Sequence, residues 1–160
     1  MSTKNLNIGL VTLNARFVHV ALSLRYLRNA ALNAGFIDVW LKEYTIDQPV
    51  WKIAADIQRH KPDTIGLSIY IWNRLQSFQL IELLQKQNPH LSIVLGGPEV
   101  SFEPEITTGY TVIGGEGEDK WVEYLHYIQR CETPPREVLE RWKIYGNPVR
   151  HLGDESYAGG

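Results

Sequence analysis

Three observations in the 160-residue sequence predict an α/β protein built on a doubly wound, five-stranded parallel sheet. Short apolar runs of strand length alternate five times with segments of helical period. Two of the runs are apolar on both sides, as strands buried between helical layers are. Glycine pairs follow two others at their carboxyl ends, the rim where such sheets hold ligands.

Leu6 to Leu13 (LNIGLVTL) ends at Asn14 and forms a central first strand. From Val20 to Ala34, the residues Leu24, Leu27, Ala31 and Ala34 share one helical stripe, closed by Gly35 as a C-terminal cap. Ile37, Val39 and Leu41 alternate with Asp38, Trp40 and Lys42, the period of a half-exposed edge strand. Asp47 and Pro49 signal a helix start, and Ile53 and Ile57 give that helix its buried face before it ends near His60. Lys61-Pro62-Asp63 opens a third strand, Thr64 to Ile71 (TIGLSIYI).

Asn73 can cap the next helix, where Leu75, Phe78, Ile81 and Leu84 recur until Asn88-Pro89 stops it. Leu91 to Leu95 is the fourth strand and runs into Gly96-Gly97-Pro98. Residues 98–109 carry two prolines and read as an irregular crossover. Tyr110 to Ile113 is the fifth strand, ending in Gly114-Gly115. Glu116, Glu118 and Asp119 lie at the positive end of a last helix, with Trp121, Val122, Leu125 and Ile128 as its core stripe.

Right-handed crossovers and one alternating edge strand favour the three-layer Rossmann or flavodoxin-like order 2-1-3-4-5, with its switch point between strands one and three. The loops to watch are 14–19, 70–73, 96–100 and 114–117. After Arg130 the pattern stops: Pro134-Pro135 precedes a short helical stretch, Arg136 to Trp142, and a polar end. Residues 1–130 therefore read as the domain, and 131–160 as a linker or the start of a further domain.

Composition narrows the function classes. Sixteen Lys and Arg against 18 Asp and Glu leave a net charge of −2, against a general nucleic-acid or anionic-membrane binder. An apolar fraction of 44% with five Trp and eight Tyr excludes a mostly disordered chain. A single cysteine, Cys131, cannot build a disulfide framework, a CxxC zinc site or an iron–sulfur cluster. No apolar run approaches the roughly 20 residues of a bilayer span, and the start lacks a signal-peptide pattern, so a cytoplasmic location is expected.

The loops supply the candidate site. Glycine pairs at the outlets of strands four and five let a flat ligand or a phosphate approach the backbone; a plain tight turn is the alternative at each. Neither pair is a phosphate fingerprint, and Gly115-Glu116-Gly117-Glu118 is too acidic to welcome one. Asn14 and Arg16 lie at the switch point with His19; Arg16 could hold an anion and His19 a metal or hydrogen bond, or both could be a solvated cation and a packed imidazole. Ser68, Tyr70 and Trp72 share one side of strand three beside Asn73, suited to a planar ligand or to ordinary packing and capping. Glu99, between Pro98 and Val100, could accept hydrogen bonds from ligand amides or serve as an early-turn acid. No GxSxG elbow, Cys/His pair or receiver-domain aspartates are present, so no catalytic residue and no metal ligand is assigned.

At these loops the strings GLSIYIWN (66–73), VLGGPEVSFEPE (94–105) and VIGGEGED (112–119) resemble the N-terminal B12-binding domain of cobalamin-dependent radical SAM proteins, and residues 10–36 resemble that family's first β-α unit. The resemblance implies cobalamin with its corrin over the carboxyl rim and its nucleotide tail near strands one, three and four. B12 domains of the mutase and methionine synthase kind carry Asp-x-His-x-x-Gly after strand one to supply an axial histidine. Here His19 is followed by Val20-Ala21-Leu22-Ser23 with no aspartate two residues before it, which implies cobalamin bound base-off without a histidine ligand.

Ser68 falls on the family's small hydroxyl residue and Gly96-Gly97 on its strand-four glycines. The implied cofactor-binding set is completed by Gly114, Gly115, Glu116 and Gly117 with the residues weighed above. The resemblance also implies a downstream barrel holding a [4Fe–4S] cluster and S-adenosylmethionine, with methyl transfer among the reactions open to the full enzyme. A flavin- or nucleotide-binding module and a ligand-free regulatory module are the competing readings.

Overall fold

The computed structural model describes residues 5–15, 22–97 and 109–144. Strands β1 (Asn7–Asn14), β2 (Asp38–Thr45), β3 (Thr64–Ser68), β4 (Ser92–Gly96) and β5 (Thr111–Val112) form one parallel sheet in the order β2-β1-β3-β4-β5. The helices are α1 (Leu22–Asn33), α2 (Val50–Arg59), α3 (Arg74–Gln87), α4 (Glu118–Gln129) and α5 (Arg136–Lys143). The predicted fold and strand order are borne out. Register pairs Thr12 with Ser68 and Ser68 with Gly96, so β3 and β4 end level at one rim while β1 runs two residues further, to Asn14.

Period-two alternation divides the core. Val11, Leu13, Ile65, Leu67, Ile93 and Leu95 face the layer of α2 and α3. Ile8, Leu10 and Val94 face α1, α4 and α5. Because the central strands are covered on both sides, β1 is buried from Ile8 to Asn14 and β3 throughout.

Three sequence expectations shift. The third strand stops at Ser68 rather than Ile71, and Ile71–Asn73 form a 3₁₀ turn. The buried Asn73 amide causes this: its Oδ1 accepts from Tyr70 N at 2.8 Å, and its Nδ2 donates to Leu13 O at 2.9 Å. Those backbone groups are thereby satisfied without a ladder. Leu75 leaves the buried stripe of α3, which runs instead through Ser77, Leu80, Ile81 and Leu84.

The packed unit also extends past residue 130. Trp142 on α5 is fully buried, edge-on to Tyr124 and Tyr127 at 6.1 and 6.0 Å between ring centres. Residues 136–144 therefore share the core of the strands, and the remaining C-terminal residues lie outside those described.

Candidate functional site

A cleft of about 600 Å³ opens at the carboxyl rim between α1 and the start of α4. Its floor is the sheet itself, at Gly66 and Ser68 on β3 and at Val94 and Gly96 on β4. Leu24, Leu27 and Tyr26 line it from α1; Gly115 to Glu118 and Trp121 line it from the loop and helix opposite. The volume is that of a small-molecule site, and the lining is mostly apolar with few polar groups.

Small residues make this space. Thr64, Gly66 and Ser68 alternate onto the α1/α4 face, and so do Ser92, Val94 and Gly96 on the neighbouring strand. The deep end is closed by Trp121, whose indole donates to Leu27 O at 3.1 Å and so ties α4 to α1. A methyl group at Gly66 would lie 3.2 Å from the Trp121 ring, so that glycine is needed by the packing. Gly97 has φ of +101°, and a Cβ there would meet Ile69 O at 2.5 Å.

Gly96 differs from both. A Cβ there would find only Ile113 O, at 3.6 Å, an ordinary contact among the described residues. Nothing among the described residues requires a glycine there, and the space it frees belongs to the cleft.

The predicted residues divide by this geometry. Ser68, Tyr70, Gly96, Gly97, Gly115, Glu116 and Gly117 line the cleft. Asn14, Trp72 and Asn73 do not: Asn14 donates to Glu43 Oε1 at 3.0 Å, Trp72 stacks on Tyr70 with ring centres 4.6 Å apart, and Asn73 latches the rim. Gly114 is turned toward α5, its N–H donating to Trp142 O at 2.8 Å. Arg16, His19, Pro98, Glu99 and Val100 lie outside the described residues. Sequence reasoning about loops missed the α1 wall (Ser23, Leu24, Tyr26, Leu27) together with Gly66, Val94 and Trp121. The signal was there in part: small residues two apart in GLS, beside the glycine that ends LSIVLG.

The cleft carries acid at one wall, with Glu116 and Glu118 at the α4 N-terminus. None of the described histidines lines it; His60 stacks on Trp40, 4.3 Å between ring centres, and His126 lies against Phe36. Among the described residues no group of three or more His, Cys, Asp or Glu could hold a metal ion, and no helix is long and apolar enough to cross a membrane. An apolar, glycine-floored slot with acid at its mouth fits a ligand that is broad, neutral or donor-rich. Cobalamin, edged with amides, is such a ligand.

A five-stranded 2-1-3-4-5 sheet with this slot defines a class of small-ligand binders at the carboxyl rim. The chain belongs to the B12 binding domain family, whose model matches residues 8–125. It is 29% identical over 127 residues to 2-(S-pantetheinyl)-carbapenam-3-carboxylate methyltransferase of Streptantibioticus cattleyicolor, covering 72% of this chain and 17% of that protein. It is 30% identical over 66 residues to the cobalamin-dependent radical SAM methyltransferase TokK of Streptomyces tokunonensis, covering 38% of this chain and 10% of that one.

The fold superposes on the cobalamin-dependent S-adenosylmethionine radical enzyme OxsB, solved with aqua-cobalamin and S-adenosylmethionine bound. The TM-score is 0.66 at 19% identity, over 81% of this chain and 19% of that one. The chain thus spans less than a fifth of these relatives' length. The family expected from the loop strings is borne out.

Proposed function

We propose that this chain seats cobalamin base-off and without a histidine ligand, with the corrin over the β3–β4–β5 rim and the uncharged base of the nucleotide arm in the apolar cleft between α1 and α4. The observation that carries the reading is Gly96, whose missing side chain opens onto the cleft and meets no close packing neighbour among the described residues. Ser68 offers a hydroxyl on the cleft floor, and Tyr70 offers a ring backed by Trp72. Leu24, Leu27 and Trp121 exclude water from the deep end. When bound, cobalamin supplies a cobalt centre able to carry a methyl group, and this chain's residues bind and orient it.

Two methyltransferase relatives, one of them a radical SAM enzyme, support methyl transfer as the reaction class of the full-length protein, and the downstream barrel with a [4Fe–4S] cluster and S-adenosylmethionine is part of the same proposal. Titration with hydroxocobalamin, followed by visible absorption and gel filtration, tests the binding. Saturable spectral change with co-elution is expected; no change and no retention would overturn it. Reduction to the cob(II)alamin state then tests the axial ligand. An electron paramagnetic resonance spectrum without nitrogen splitting is expected, whereas a nitrogen triplet would show a coordinated base or histidine.

A further inference from the structure

Gly114 interrupts a run of cleft residues, since Ile113, Gly115 and Gly117 all line the slot while Gly114 faces α5. Both of its peptide groups are held, the N–H from α5 and the carbonyl from α4. Its N–H donates to Trp142 O at 2.8 Å. Its carbonyl accepts from Lys120 Nζ at 2.9 Å, and the same ammonium donates to Ile144 O at 2.6 Å. A Cβ at Gly114 would sit 2.5 Å from Lys143 O, so the last turn of α5 lies directly on the backbone of the cleft wall.

This contact solves a problem for α5 itself. A helix ends with carbonyls that no later turn satisfies, and a cation there is favoured by the helix dipole. Gly114 N–H and the Lys120 ammonium supply the donor and the cation from outside the helix. α5 is fastened to α4 a turn further on as well: Glu123 Oε1 accepts from the Trp142 indole at 2.8 Å and pairs with Arg141. Lys120 and Glu123 flank Trp121, the residue that closes the cleft.

We propose that Lys120 is a positioning residue for ligand binding: by joining the carbonyls of Gly114 and Ile144 it holds the Gly115–Gly117 wall in place, and only while residues 141–144 are docked. Residues 136–144 then form a clasp on the site. The inference rests on the cobalamin reading for its ligand but not for its mechanics, so the two are tested separately.

The experiment uses the full chain and Lys120→Met, which keeps the stem and removes the ammonium, with Lys120→Arg as the conservative partner. Amide hydrogen exchange of residues 113–118 and hydroxocobalamin titration are the two readouts. Lys120→Met is expected to speed exchange in 113–118 by about tenfold, to leave β1 and β3 unchanged, and to weaken hydroxocobalamin by about tenfold. Lys120→Arg is expected to restore most of both. Unchanged exchange in Lys120→Met overturns the clasp, and so does faster exchange with unaltered affinity. Should the parent chain not take hydroxocobalamin, the ligand assignment falls and the exchange measurement alone decides the clasp.

Discussion

Gly96 and Gly97 are adjacent and both line the cleft, yet the structure demands opposite responses to a side chain. At Gly97 a Cβ meets Ile69 O at 2.5 Å in a backbone with φ of +101°. Alanine there stores about 1–3 kcal/mol of backbone strain before any clash is relieved. At roughly 2–4 °C per kcal/mol for a domain of this size, Gly97→Ala lowers the melting temperature by about 2–12 °C. At Gly96 a Cβ meets nothing nearer than 3.6 Å among the described residues. Replacing that glycine also lowers the entropy of the unfolded chain, which offsets small losses by about 0.4–1 kcal/mol. Gly96→Val therefore melts within about 3 °C of the parent.

Binding reverses the order of severity. Valine at residue 96 places three carbons on the floor of a 600 Å³ slot that the ligand is to fill. Overfilling a packed site costs about 1–3 kcal/mol, or roughly 5- to 150-fold in hydroxocobalamin affinity. Circular-dichroism melts and absorption titrations on the same three proteins decide the matter. Gly96→Val binding as tightly as the parent would show that the cobalamin seat lies elsewhere; a collapse of its melting temperature would show that the space over Gly96 is not free.

Asn73→Ala leaves Tyr70 N–H and Leu13 O without their buried partner, and a loss of about 2–4 kcal/mol is expected in urea unfolding; a loss below 0.5 kcal/mol would return Asn73 to the list of ligand contacts. Trp142→Ala removes a fully buried indole and should cost about 3–5 kcal/mol, which a chain whose domain truly ended at residue 130 would not feel. The Tyr44 hydroxyl, 2.6 Å from Asp56, holds that carboxyl down to about 2, helped by Lys42 and Arg59. A depressed carboxylate contributes stability above its ordinary value of 3.8 and loses it as pH falls toward 2, so Asp56→Asn should flatten that acid limb by on the order of 1 kcal/mol. An unchanged limb would place the acid sensitivity in other carboxylates.

The order of strands, the two-sided burial of LNIGLVTL and the glycines at the outlets of β4 and β5 were legible because each depends on period and turn chemistry, which are local. The family was legible for the same reason, being written in short strings at strand ends. The depth of the site was not. Gly66, Val94, Leu27 and Trp121 are far apart in sequence and meet only when β3, β4, α1 and α4 pack, and a single small residue in a strand does not announce which helix leaves a gap above it. Nor could sequence separate Gly96 from Gly97 and Gly114, which share a residue type and a rim. What parts them is the approach of other backbone, from Ile69 at one and Lys143 at the other, and such long-range contact is fixed only by the folded chain.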